Sequence, residues 1–300
     1  MGVSQNRITV VTVCDNHYII LLAALLKSIE VNHKTEEKID LYIIDDHISN
    51  KKKEKLISSI DQEVIHFNWL KISEVIPEAM KLPADHSSFP LNIYARLFIP
   101  YFLPEHIQKV LYFDVDIILL RDIADLASTD MGGKTIGGVI DKAGTISTKW
   151  AGIGNYKELG LPPHTKYFNS GVLLIDPIKW RNSGVTAKII DCINNNINFT
   201  NFPDQYGLNV VFANQWLELD SNWNCQSALV HENPYLIHFT GLKPIYKSYA
   251  LNYKSEFYKY INLTKWKNFV PLSGHHWLLK KIYNRLEKKI HYIKNIWQNE

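Results

Sequence analysis

Lys109-Val-Leu-Tyr-Phe-Asp-Val-Asp-Ile-Ile-Leu-Leu-Arg-Asp122 is an apolar run rich in β-forming residues that delivers two carboxylates, Asp114 and Asp116, and then resumes as four more apolar residues. Read as one strand, it points side chains i and i+2 the same way, so both carboxylates face one bound cation. The plain alternative is a pair of solvated Asp at a strand end. The apolar flanks favour the cation, because ligands bind outside the carboxyl ends of strands in open α/β sheets.

Upstream, residues 8–14 form the kind of continuous β-branched run found in strands buried on both faces of a parallel sheet. Residues 18–31 follow as a helix and 39–44 as a second strand closed by Asp45-Asp46. A Lys-rich helix over 51–60 has Ser49 available as its cap, and 63–67 is a third strand. This alternation predicts an α/β fold with right-handed crossovers. After a proline-marked loop at 77–90, residues 93–102 read as a helix carrying Arg96 on its inner or rim face.

Downstream, 135–140 is a strand ending in Asp141, and 167–176 is an apolar segment that carries Asn169. Residues 203–212 form a helix opening with Asp204-Gln205, and 235–239 a short strand that ends in a Gly/Pro turn after His238. The final segment, 275–297, places Leu279, Ile282, Leu286, Ile290, Ile293 and Trp297 at steps of three and four. That is one helical face, with Lys280, Lys281, Arg285, Lys288, Lys289 and Lys294 on the others.

The 300 residues, 46% of them hydrophobic, suffice for a large core. The net charge of +3 is uneven, since residues 275–300 carry +4 and the preceding 274 residues −1. A body that is not basic excludes nucleic-acid binding as the main function. Cys14, Cys192 and Cys225, odd in number and widely spaced, suit reduced thiols rather than disulfides or a zinc site. No secretory signal or membrane-spanning run is read in the chain, so a cytosolic location is expected.

Hard carboxylate oxygens at Asp114 and Asp116 suit Mg²⁺ or Mn²⁺, whose coordination is usually completed by water and substrate phosphate. Phosphatases of the haloacid dehalogenase type also use an Asp-x-Asp triplet, but near the chain start and followed by a small polar residue. Here the triplet is at mid-chain and Ile117-Ile118 follow.

Six segments in a fixed order are specific where each alone is not: Cys14-Asp-Asn-His-Tyr18, Tyr94-Ala-Arg-Leu97, Leu111-Tyr-Phe-Asp-Val-Asp116, Phe168-Asn-Ser-Gly-Val-Leu-Leu174, Asp204-Gln205 and His238-Phe-Thr-Gly241. Over roughly residues 8–269 the chain resembles glycosyltransferase family 8, the retaining transferases that include bacterial lipopolysaccharide galactosyl- and glucosyltransferases and the glycogenins. The resemblance implies an α/β fold of GT-A type, a nucleotide-sugar-binding domain with a mostly parallel central sheet over 1–269. A basic helical tail follows over 270–300.

Carried over residue by residue, the resemblance implies that Asp114, Asp116 and His238 bind Mn²⁺, with Mg²⁺ the second choice, against the diphosphate of a UDP-hexose. Asp15 and Tyr18 look like the uracil contacts. Arg96, Gly241 and Lys243 would lie at the phosphates, while Asp141, Asn169, Asp204 and Gln205 would surround the sugar. The chain departs from the family at His17, where Asn is usual. It also shortens the Gly241-Leu-Lys243 turn by one residue and has Ile245-Tyr246 where a Trp commonly follows the proline.

A double displacement needs a carboxylate beneath the anomeric carbon. Tyr206 stands where some relatives place an acidic residue, so front-face substitution is expected, with Gln205 supporting the oxocarbenium-like transition state and Arg96 the departing charge. The expected enzyme is a retaining hexosyltransferase acting from UDP-galactose or UDP-glucose on lipopolysaccharide or another glycan, including lipid-linked glycan. Its tail would attach it to the anionic inner face of the cytoplasmic membrane. A tail helix docked on the protein's own core is the other reading of 275–297. The functional alternatives are a catalytically silent sugar-nucleotide or glycan-binding protein and a glycogenin-like self-glucosylating enzyme.

Overall fold

The computed structural model describes residues 7–77 and 80–297, without the side chains of 292 and 294–297. The expectations that fall on the side chains of Lys294 and Trp297 therefore lie outside the described residues. The strands, in chain order, are β1 (Arg7–Asp15), β2 (Lys38–Asp46), β3 (Ile65–Lys71), β4 (Val110–Phe113), β5 (Ile117–Leu119), β6 (Ile136–Thr145), β7 (Lys166–Ile175), β8 (Leu217–Glu218), β9 (Cys225–Gln226) and β10 (Leu236–His238). The chain divides into two compact units, Met1–Ile72 with Lys109–Asp130 and Asp220–Gly274, and Ser73–Gln108 with Met131–Leu219 and His275–Glu300.

In the first unit, β3, β2, β1 and β4 lie side by side and all run parallel. The continuous apolar runs explain this, since a strand covered on both faces needs apolar side chains on both. Val10 and Val11, neighbours that point to opposite faces of β1, are both buried. The helix Ile19–Asn32 that follows β1 buries Leu22, Leu25 and Leu26, and its Ser28 Oγ accepts from Leu119 N–H of β5 at 2.9 Å. Because the strands are parallel, the carboxyl ends of β1 and β4 open on the same edge, and they deliver Asp15 and Asp114 there.

A second sheet in this unit has the order β5, β10, β9, with β10 antiparallel to β5 and parallel to β9. The run of 109–122 is thus not one strand. β4 ends at Phe113 and β5 begins at Ile117, so Asp114, Val115 and Asp116 form a bend where the chain leaves one sheet for another. Phe239 N–H donates to Asp116 O at 2.9 Å, tying the bend to the end of β10.

In the second unit, β6 lies between β7, to which it is antiparallel, and β8, to which it is parallel. β6 continues past the expected end at residue 140 to Thr145, with register irregularities on both sides of Val139-Ile140. Gly138 is required in β6, because a Cβ there would lie 2.9 Å from the Phe168 ring. The helices Val185–Asn195 and Pro203–Val211 pack closely at Gly207, where a Cβ would meet Ile189 at 2.7 Å. That packing fixes the helix that presents Asp204 and Gln205.

Two local readings are corrected. The Lys-rich helix is Asn50–Ile57, and although Ser49 is its N-cap residue, its side chain makes no capping bond. The segment read as a helix over 93–102 is a 3-10 helix, Leu91–Phe98, followed by a short α-helix, Ile99–Phe102. Arg96 is buried, 6% exposed, which is the inner of the two expected placements.

Candidate functional site

The chemistry-bearing residues of the first unit converge on the bend after β4. His238, at the end of β10, brings Nε2 to 3.3 Å from Asp116 Oδ1 and 3.9 Å from Asp114 Oδ2. One ligand atom from each of Asp114, Asp116 and His238 lies within 4.8 Å of the others. The set fits one divalent cation by its chemistry, two hard carboxylate oxygens and one imidazole. The imidazole is aimed from behind, as Asn224 Oδ1 accepts from His238 Nδ1 at 2.9 Å and leaves Nε2 directed at the carboxylates. Tyr112 Oη donates to Asp114 Oδ1 at 2.7 Å.

Lys243 lies here as well, with its ammonium paired to Asp116 and donating to Phe239 O at 2.8 Å. Burial pushes the Asp116 carboxyl up, but Lys243 and His238 outweigh it and hold the group well below the usual carboxylate range. Asp116 is thus an anion whose setting is built for positive charge. Gly241 adopts φ +77°, which favours glycine in the turn between His238 and Lys243, and open space lies where a Cβ would be.

Asp15 organises the turn after β1, its Oδ1 accepting from the backbone N–H groups of His17 and Tyr18 at 2.9 Å each. Two of the departures from the family pattern meet, since His17 Nε2 lies 2.8 Å from Tyr246 Oη. Burial pushes the half-buried Tyr18 hydroxyl far up, so it stays protonated.

The second unit gathers the residues expected around a sugar. Asn169 Nδ2 donates to Asp141 Oδ2 and to Gln205 Oε1, both at 3.1 Å. Ser170 is the hub that sequence reading missed. Its N–H donates to Gln205 Oε1 at 3.0 Å, its Oγ donates to Asp204 Oδ2 at 3.0 Å, and its carbonyl accepts from Arg96 Nη1 at 2.7 Å. Arg96 Nε is 3.3 Å from Asp204 Oδ2.

All of these side chains are buried, at 6–9% exposure. Asp204 lies inside the first turn of its helix, whose N-cap is Phe202, so its carboxylate serves this network and not a cap. Tyr206 is turned away from it, donating to Asn155 Oδ1 at 2.9 Å.

Ser170 was visible only as the small residue beside Asn169, and Asn224 carried no signal, being a lone Asn outside every segment that resembles the family. A further buried group in this unit, Asp85 with Lys288, was also unread. Lys288 Nζ lies 2.7 Å from both carboxylate oxygens of Asp85.

Comparison with known proteins agrees with the resemblance. The model of the family described as Glycosyl transferase family 8 matches residues 9–244. The chain is 29% identical to General stress protein A of Bacillus subtilis (strain 168) over 86% of its own length and 94% of that protein. It is 24% identical to a lipopolysaccharide 1,2-glucosyltransferase of Escherichia coli (strain K12), over 94% of its length and 86% of that protein. Among solved structures, the galactosyltransferase LgtC, in complex with donor and acceptor sugar analogues, superposes with a TM-score of 0.70 at 22% identity. That match covers 91% of this chain and 100% of LgtC. The likeness to LgtC shows a fold of GT-A type, α/β with a mostly parallel central sheet.

Proposed function

The chain belongs to glycosyl transferase family 8, and on that premise we propose that it is a retaining hexosyltransferase. It would move galactose or glucose from a UDP-sugar to lipopolysaccharide or another surface glycan, with Mn²⁺ as its preferred cation. The observation that carries this reading is the Asp114, Asp116 and His238 cluster, whose ligand atoms converge within 4.8 Å at the carboxyl edge of a parallel sheet. The relative named lipopolysaccharide 1,2-glucosyltransferase supports the donor and acceptor class.

Asp114, Asp116 and His238 would hold a divalent cation, which when bound would supply Lewis-acid charge neutralisation to a diphosphate leaving group. Lys243 adds positive charge beside Asp116, and Asp15 and Tyr18 take the uracil. In the second unit, Asp141, Asn169 and Asp204 orient the hexose hydroxyls, while Arg96 offers fixed guanidinium donors to oxyanions.

Gln205 Oε1 already accepts from Ser170 N–H and Asn169 Nδ2. An amide oxygen with both lone pairs engaged is a poor nucleophile and a good preorganised dipole. This supports front-face substitution. The bond from the anomeric carbon to the diphosphate oxygen breaks, the acceptor oxygen bonds to that carbon on the same face, and the acceptor proton passes to the leaving diphosphate.

We assign attachment at the inner face of the cytoplasmic membrane to the tail, residues 270–300. Among the described residues no helix is long and apolar enough to cross a membrane. The helix Gly274–Trp297 nevertheless exposes Leu279, Ile282, Leu286, Ile290 and Ile293 along one face. An apolar face flanked by Lys and Arg fits an anionic lipid surface.

Mass spectrometry of UDP release across a panel of UDP-sugars tests the reading, with Mn²⁺ or Mg²⁺ supplied in turn. Cation-dependent release from UDP-galactose or UDP-glucose is expected, with α-configured product by NMR. Tight UDP-hexose binding without any release would make the chain a silent binding protein.

A further inference from the structure

The tail helix docks by its polar side. Asn284 and Lys288, one turn apart, are 4% and 3% exposed, while the apolar face made by Leu279, Ile282, Leu286 and Ile290 points to solvent. Asn284 Nδ2 donates to Ser88 O at 3.0 Å. Lys288 Nζ donates to Asp85 Oδ1 and Oδ2 at 2.7 Å each and to Ser87 Oγ at 2.9 Å.

A helix held against a protein usually buries its apolar stripe and leaves its lysines in water. Here the arrangement is inverted, and a charged pair is taken out of solvent to make it. A buried pair contributes little net stability, yet losing one partner is strongly destabilising, so such a pair specifies one arrangement of the segments it joins.

What it joins is the approach to the candidate sugar site. Asp85 also accepts from Tyr94 Oη at 2.7 Å through Oδ2 and from Ser87 N–H at 2.8 Å through Oδ1. Tyr94 lies within the 3-10 helix Leu91–Phe98, two residues before Arg96, whose guanidinium reaches Ser170 O and Asp204. A 3-10 helix has poorer internal hydrogen bonding than an α-helix and leans on such outside anchors.

We infer that Lys288 is a positioning residue for transfer, acting from the tail through Asp85 and Tyr94 to hold the segment that carries Arg96. The inference rests on the proposed role of Arg96 toward the donor. It gives the tail a second duty on the side opposite its apolar face, so that lipid contact and the clasp are compatible in one helix.

The experiment compares full-length wild type with Lys288→Met, Lys288→Arg and the charge-neutral double variant Lys288→Met with Asp85→Asn. It reads kcat for UDP release, UDP affinity, thermal midpoint and amide hydrogen exchange over residues 85–96. For Lys288→Met, kcat is expected to fall about ten- to a hundredfold, the scale of a displaced reacting group. UDP affinity should stay within about twofold, and exchange over 85–96 should rise, as when a local anchor is lost. Lys288→Arg should keep most of the rate.

In the double variant the thermal midpoint should recover while kcat stays low. Unchanged exchange over 85–96, an unchanged kcat in Lys288→Met, or a kcat that recovers with stability in the double variant would each overturn the inference. If wild type releases no UDP from any UDP-hexose, the proposed function fails, and the exchange over 85–96 still decides the clasp.

Discussion

Gln205 Oε1 accepts the backbone N–H of Ser170 at 3.0 Å, so its amide is held by the strand itself. In Gln205→Ala, kcat should fall about 10²-fold or more, the scale for removing one preorganised dipole. UDP affinity, which the proposal assigns to Asp15, Tyr18 and the groups at the phosphates, should be unmoved. The variant also strips an acceptor from Ser170 N–H and Asn169 Nδ2, at about 1–3 kcal/mol for each donor left unsatisfied, so the rate is measured well below the lowered melting temperature. Full kcat in Gln205→Ala would remove Gln205 from the mechanism.

Asn224 is expected to control cation affinity without touching the cation. Its Oδ1 holds the Nδ1–H of His238 and thereby fixes both ring orientation and tautomer. Asn224→Leu should weaken the apparent Mn²⁺ affinity by about 10–100-fold, as loss of a ligand's outer partner generally does. Titrating UDP release against Mn²⁺ reads this directly. An unaltered midpoint would mean that β10 alone orients His238.

The tail offers a separation of roles. Leu286 and Ile290, both more than half exposed, lie opposite Asn284 and Lys288 on the helix. Leu286→Glu with Ile290→Glu should weaken binding to anionic vesicles by at least about tenfold while leaving kcat toward a soluble acceptor unchanged. Sedimentation with vesicles and a parallel solution assay check both halves. Retained vesicle binding would move the membrane contact elsewhere.

The residue types that the structure brings together were legible in the sequence: two carboxylates and an imidazole whose ligand atoms converge, and Asn169 with Asp204-Gln205 in one hydrogen-bond network. Their setting was less so. The bend at Asp114–Asp116 reads as continuous strand because the apolar pattern does not record that β4 and β5 belong to different sheets. Ser170 and Asn224 act through hydrogen bonds to partners 14–74 residues away, which no local pattern encodes. The tail's periodicity was plain, yet periodicity marks a face without saying whether it turns inward. Two buried polar side chains decide that here.

Asp122, the last residue of the stretch that begins at Lys109, gives a pH test independent of the cation site. Its Oδ1 accepts the Ala124 N–H at 2.9 Å as the N-cap of the helix Ile123–Ala127, and Oδ2 accepts the Lys34 N–H at 2.5 Å. His33 Nδ1 lies 2.8 Å from Oδ1. Burial pushes the carboxyl up, but these backbone donors and His33 outweigh it, so its folded value lies below the ordinary one. The unfolded chain then takes up the proton first as pH falls. The contribution is complete above the unfolded value of about 3.9 and is lost as pH drops through the folded value below it. Asp122→Ala should cost about 1 kcal/mol at neutral pH through the lost cap and should flatten the decline in thermal midpoint on acidification from pH 5 toward pH 3. A decline as steep as in wild type would assign that acid sensitivity to other carboxylates.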